Sequence, residues 1–286
     1  MIFYNLHLDP DFQPFSDGEA IRFEAFTFSG GEPHLKIQPD LETSRPVRIA
    51  HRLNSFQDLG LLCLAADALG RMGFRHLEAF IPYFPAARQD RVMAPGEPLS
   101  VKVYADLINS LQLERVVIFD PHSEVAPALL RHCTALHNHD FIRQVITQIP
   151  QHQTPKNLPT LLVAPDGGAL KKIYKLAEAL GGREVVECSK HRDVKTGQLS
   201  GFRVNAEDLQ GQPCLLVDDI CDGGGTFIGL AQALRAKNAG PLYLAVSHGI
   251  FSKGFEELAS HFEQIFTTNS IRKIEHHAVR QIDLKF

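Results

Sequence analysis

No apolar run in the 286 residues approaches the ~20 needed to cross a bilayer as a helix, and the first residues lack a basic segment followed by an apolar core. Membrane insertion and secretion are therefore not expected. Cysteine is scarce and odd in number. Cys63, Cys133, Cys188, Cys214 and Cys221 are scattered and mostly set in apolar runs, the pattern of reduced core thiols and not of a disulfide framework or a zinc site. An excess of positive charge is also missing: the net charge is −4 and the pI about 6.4, so any phosphate ligand must be held by local donors and not by a general nucleic-acid-binding surface. What remains is a soluble, cytoplasmic globular protein with no nucleic-acid or membrane partner. With 44% hydrophobic residues the chain can bury a substantial core, and its length favours two domains over one.

The densest motif is Cys214-Leu215-Leu216-Val217-Asp218-Asp219-Ile220-Cys221-Asp222-Gly223-Gly224-Gly225-Thr226. Leu215 to Val217 suits a strand covered on both faces, and Phe227 to Ala236 carries apolar residues at helical spacing. Between them, three glycines leave backbone N–H groups free to close on an anion at a helix N-terminus, with the Thr226 hydroxyl as cap or added donor. Asp218 and Asp219, expected where the strand ends, can accept hydrogen bonds from two vicinal hydroxyls or hold a hydrated Mg²⁺. A sugar phosphate is the natural ligand. No Lys-Ser/Thr follows the glycines, which excludes a Walker A loop, and the spacing is not that of the dinucleotide fingerprint.

Val217 to Thr226 resembles the ribose-phosphate binding signature shared by type I phosphoribosyltransferases and ribose-phosphate pyrophosphokinases (PRPP synthetases). Five further segments resemble the second family, in its order. Phe15-Ser16-Asp17-Gly18-Glu19, read from its Asp-Gly as a hairpin tip, is similar to the family's nucleotide hairpin, which reaches across a subunit boundary; the resemblance implies ATP contacts for Phe15, Asp17 and Glu19. Pro82 to Arg91 combines rigid turns, aromatics and two arginines, and resembles the family's nucleotide loop, implying ATP contacts for Arg88, Gln89 and Asp90. Simple phosphoribosyltransferases have no counterpart of that loop. Asp120-Pro121-His122-Ser123, at a strand's C-terminal end, resembles the segment whose histidine meets the Mg²⁺ of Mg-ATP, and Pro165-Asp166-Gly167-Gly168-Ala169 resembles the pyrophosphate loop, with Asp166 near the metal. Finally, Ser189 to Gln198 reads as a basic, flexible excursion and resembles the mobile catalytic loop, which implies that Lys190 and Arg192 are catalytic.

The resemblance implies an α/β fold of two tandem type I phosphoribosyltransferase-like domains, each a mostly parallel sheet flanked by helices. Residues 1–139 form the N-terminal domain with the nucleotide hairpin and loop; residues 140–286 form the C-terminal domain with the ribose 5-phosphate site and catalytic loop. The tail from about 271 is expected to pack back on the first domain. The implied reaction is ribose-phosphate diphosphokinase chemistry: ATP and ribose 5-phosphate give PRPP and AMP, with Mg²⁺ as cofactor and a homo-oligomer, at least a dimer, as the working form. Asp218 and Asp219 are assigned to the ribose hydroxyls, and Asp222, Gly223, Gly224, Gly225 and Thr226 to the 5-phosphate; His122 and Asp166 are assigned to the metal. Two departures stand out: Gly223 where the family usually has Thr, and Ala169 where a glycine is usual. They leave a silent regulatory subunit as one alternative, and a PRPP-consuming phosphoribosyltransferase as another.

Overall fold

The computed structural model describes residues 2–150, 158–192 and 199–286, with 190–192 and 199–200 described by backbone alone. The chain falls into two compact units. The first holds the residues up to His137 together with Ser270–Lys273 and Asp283–Phe286; the second holds Asn138–Asn269 and Ile274–Ile282.

In the first unit the elements run β1 (Tyr4–His7), β2 (Glu19–Ala20), β3 (Phe23–Thr27), β4 (Pro33–Ile37), β5 (Val47–Ala50), α1 (Phe56–Met72), β6 (Leu77–Ile81), α2 (Ser100–Ser110), β7 (Arg115–Phe119), α3 (Val125–Leu129) and β8 (Cys133–Leu136). Six strands form a parallel sheet in the order β2-β1-β5-β6-β7-β8. Alternate residues of the strands, including Leu6, Ile49, Ile81 and Ile118, face the buried sides of α1 and α2. Helix α1 begins where its sequence says it should: the Ser55 hydroxyl accepts the Asp58 N–H at 3.2 Å, and Gly73, at φ 103°, closes the other end. Just past β5, where the parallel strands end, Asp9 Oδ2 lies 3.0 Å from Nδ1 of buried His51 and accepts the backbone N–H of Arg52 at 2.8 Å.

The turn at Asp17-Gly18 is not the hairpin tip that its sequence suggests. Glu19 N–H donates to Phe3 O and Ile21 N–H to Asn5 O, each at 2.9 Å, so β2 runs parallel to β1. Gly18, at φ 91°, hugs the neighbouring strand so closely that a Cβ would meet Phe3 O at 2.7 Å. An Asp-Gly pair specifies a tight turn but not the direction of the strand it leads into. The antiparallel hairpin lies one step downstream, between β3 and β4.

The second unit comprises α4 (His139–Gln148), β9 (Leu161–Ala164), α5 (Leu170–Ala179), β10 (Val185–Arg192), β11 (Leu199–Val204), β12 (Cys214–Cys221), α6 (Gly225–Arg235), β13 (Leu242–Gly249), α7 (Glu256–Ala259), β14 (Gln264–Thr268) and β15 (Val279–Ile282). Its seven-stranded sheet has the order β11-β10-β9-β12-β13-β14-β15 and is parallel except for the β10–β11 pair. Two expectations are corrected. Strand β10 continues through Lys190 to Arg192 where a flexible excursion was expected, because antiparallel pairing with β11 extends it. Strand β12 runs past Val217 to Cys221, supported by Ile220 and Cys221 pairing with His248 and Gly249 of β13. Between β13 and β14 the chain forms only the four-residue helix α7. All five cysteines are unpaired, and burial pushes the thiols of Cys188, Cys214 and Cys221 up to about 12, which makes them inert core groups. Among the described residues no helix is long and apolar enough to cross a membrane.

Candidate active site

Strand β12 lies between β9 and β13 and is buried along nearly its whole length. Asp218 and Asp219 therefore sit inside a strand and not beyond it, with their carboxyl groups close to one another. The Asp219 N–H donates to Asp218 Oδ1 at 2.9 Å. Burial first, then the charges of Asp219 and Asp166, raise the Asp218 carboxyl well above the usual range. A group that binds there and donates hydrogen bonds, or carries positive charge, relieves that cost.

The chain then turns through Asp222 and Gly223 into α6. Gly224 caps the helix in the left-handed region, at φ 80°, and its carbonyl accepts the N–H groups of Phe227 and Ile228 at 2.9 and 3.1 Å. Only glycine suits this position, since a Cβ would also press on the Leu258 side chain at 3.0 Å. Space at Gly225 is open, with nothing within 4 Å of a notional Cβ. The first amides of α6, at Gly225 and Thr226, have no acceptor within the helix and lie at its positive end, so the loop is an anion cradle directly after an acid pair.

Asp166 follows β9, the immediate neighbour of β12. Its Oδ1 accepts the N–H groups of Gly168 at 3.0 Å and Ala169 at 3.2 Å, which fixes the carboxylate at the start of α5. Ala169 adopts an ordinary right-handed conformation, φ −79° and ψ −19°, so the missing glycine imposes no backbone strain. Lys190 and Arg192 lie on β10, their backbones paired with Phe202 and Leu199; their side chains, and all of residues 193–198, lie outside the described residues.

In the first unit the structure brings the Arg88 loop and the His122 segment together. Burial pushes the Asp90 carboxyl up, but hydrogen bonds from Ser123 and Arg91 and the nearby charge of His122 outweigh it and hold the group below its ordinary value. Phe84 and Ala87 are buried and anchor the loop, while Arg88 and Gln89 are exposed. Phe15 packs against Phe80 and His7, and the Arg48 guanidinium lies 4.4 Å over its ring. Arg48 also binds Asp17 at 2.8 Å, and Arg45 binds Glu19 at 2.8 Å. A recess of about 200 Å³ opens among Phe15, Arg48, Phe80, Leu136 and Phe286. Among the described residues no three His, Cys, Asp or Glu side chains gather as a preformed metal cluster; His122 and Asp166 belong to different units.

Sequence reasoning missed Lys253, whose side chain lies along Gly223. No periodicity or motif marks a lysine in an exposed loop 30 residues further on.

Residues 132–277 match the family model described as the phosphoribosyl transferase domain, which sets the class of the protein: an enzyme of the phosphoribosyltransferase fold. Residues 16–111 match the N-terminal domain of ribose phosphate pyrophosphokinase. The chain is 30% identical over 257 residues to the ribose-phosphate pyrophosphokinase of Pyrococcus abyssi, covering 89% of this chain and 86% of that one. It is 33% identical to that of Thermococcus kodakarensis, with 88% and 87% covered. The crystal structure of phosphoribosylpyrophosphate synthetase from Mycobacterium smegmatis shares the fold, with a TM-score of 0.81, 22% identity, and 99% of this chain and 95% of that one covered. The chain belongs to the ribose-phosphate pyrophosphokinase family.

Proposed function

We propose that the chain transfers the β,γ-diphosphoryl group of ATP to the C1 hydroxyl of ribose 5-phosphate, giving PRPP and AMP. The observation that carries this reading is the passage from the acid pair Asp218-Asp219 straight into the cradle at Gly224 to Thr226, which offers acceptors for a diol and donors for a phosphate in one loop. Family membership supplies the direction of the chemistry.

The 5-phosphate rests on the backbone donors from Gly223 to Thr226 and on the Thr226 hydroxyl, with Asp222 supporting the loop. Asp218 and Asp219 accept from the ribose hydroxyls. In the first unit Arg88, Gln89 and Asp90 hold the nucleotide, and Arg45 and Arg48 keep Glu19 and Asp17 oriented beside Phe15. That turn serves the ATP site of a neighbouring copy, so the working form is a homo-oligomer, at least a dimer. The oxygen-rich set around Asp166 and Asp218 fits Mg²⁺, since burial, then the charges of Asp219 and Asp166, already raise the Asp218 carboxyl. Asp166 would hold it there, and His122, in the other unit, would meet the Mg²⁺ of Mg-ATP; bound metal would supply charge neutralisation on the ATP phosphates. Lys190 and Arg192 stabilise the charge that develops on the transferred group. Absence of any membrane-crossing helix among the described residues, and unpaired thiols, support action in the cytoplasm.

Incubation with Mg²⁺, ATP and ribose 5-phosphate, followed by nucleotide separation, tests the reading. AMP and PRPP in equal amounts are expected. ADP in place of AMP would overturn diphosphoryl transfer, and no turnover despite ribose 5-phosphate binding would favour a silent subunit.

A further inference from the structure

Gly223 has no side chain, and the space a side chain would take is lined by another residue. A Cβ built at Gly223 would lie 3.5 Å from both Cδ and Cε of Lys253 and 3.8 Å from its Cγ. The lysine's methylene chain thus runs along the cradle, with its ammonium one bond beyond Cε. The backbone leading to it is fixed to the same loop: Ile250 and Phe251 N–H both donate to Cys221 O, at 2.9 and 3.1 Å, and Ser252 N–H donates to Asp222 O at 3.2 Å. Phe251, 2% exposed, anchors that segment in the core. Lys253 itself is exposed, and among the described residues no carboxylate pairs with it.

We infer that Lys253 is a binding residue for the 5-phosphate of ribose 5-phosphate, its ammonium taking the place of the hydroxyl donor that Gly223 lacks. The inference rests on the reading of the Gly223 to Thr226 loop as the phosphate site. A lysine lying flat on a glycine covers apolar surface with its stem and carries its charge to the edge of that surface. At this edge the partner is a phosphate oxygen, and a charge-assisted hydrogen bond is stronger than the neutral one it replaces. A Cβ at 223 would meet the stem in ordinary contact and atoms beyond it would compete with the stem for the same space, so the glycine and the lysine act as a pair.

Kinetics on the full-length enzyme test this with four variants. Lys253→Met keeps the stem over Gly223 and removes the charge; it is expected to raise KM for ribose 5-phosphate about tenfold, with KM for ATP and the melting temperature unchanged. Lys253→Arg is expected to retain most of the affinity. Gly223→Thr in the Lys253→Ala background is expected to recover part of it, since Gly223 is not in the left-handed region and a side chain there meets only ordinary contacts. Thr226→Ala serves as the reference for the loop. A raised KM in Thr226→Ala with wild-type KM in Lys253→Met would overturn the role of the lysine alone. Wild-type KM in both would overturn the phosphate-loop reading together with it.

Discussion

Asp219 donates its backbone N–H to Oδ1 of Asp218 at 2.9 Å, and the same strand that makes this bond holds the two carboxyl groups close enough to repel. In the proposed reading, this unfavourable pair stands where the ribose diol binds. Removing one charge while keeping the acceptor, as in Asp218→Asn, is expected to raise the melting temperature of the ligand-free, EDTA-treated protein by roughly a few degrees. The same change is expected to lower kcat/KM for ribose 5-phosphate at least about 100-fold, the loss of two to three good hydrogen bonds to a charged acceptor. Thermal melts decide it: a lower melting temperature in the variant would show that the pair is structural.

Asp9 is the opposite case, a carboxylate that the fold needs. Burial raises its pKa, but the His51 hydrogen bond and charge, with the Arg52 N–H and charge, outweigh that and leave it lowered. Asp9→Ala takes the partner from buried His51 and leaves Arg52 with Asp11 alone, and is expected to cost about 3 kcal/mol. The sign of the pH dependence follows from the lowered value. The pair stabilises the fold above the unfolded-state pKa of about 3.9, and this stability is lost as pH falls through the folded-state value. Urea melts of wild type and Asp9→Asn between neutral and acid pH should therefore converge at the acid end; a constant gap would remove the carboxylate as the cause.

Gly224 joins conformation to binding. An alanine there must adopt φ near 80° and also push against Leu258, so Gly224→Ala is expected to cost about 1–2 kcal/mol and to raise KM for ribose 5-phosphate. Gly225→Ala, with open space around its Cβ, is expected to leave stability nearly unchanged and to act on binding alone. Equal melting temperatures for the two variants would contradict this division.

Lys190 belongs to the chemical step in the proposed mechanism. Lys190→Ala is expected to lower kcat on the order of 100-fold or more with little change in melting temperature. Near-normal turnover would remove that lysine from the mechanism.

Much of this was legible in the sequence, for physical reasons that differ by residue. Ser55 followed by Asp58 marks the start of α1 in the sequence because such a pair satisfies a helix N-terminus in a way few residues can. The run from Asp218 to Thr226 announced the site because charge and backbone freedom leave little choice of residue there. Strand ends were less legible: Asp218, Asp219, Ser247 and His248 are polar, so the apolar-run signal stops before the hydrogen-bonded ladder does. The course of the chain after Gly18 was hidden because turn chemistry is local and the pairing of β2 with β1 is not. Lys253 was hidden because only the folded loop places it beside Gly223.

Phe286 donates its N–H to Pro14 O at 2.8 Å and sets its ring edge-on to Phe80 at 4.5 Å, so the first unit includes residues from both ends of the chain. On the ribosome this reverses the usual order of completion. Residues 1–137 are made well before Asp283–Phe286, yet the sheet face around Phe80 waits for them, so the earlier-made unit is sealed only after the second has been synthesised.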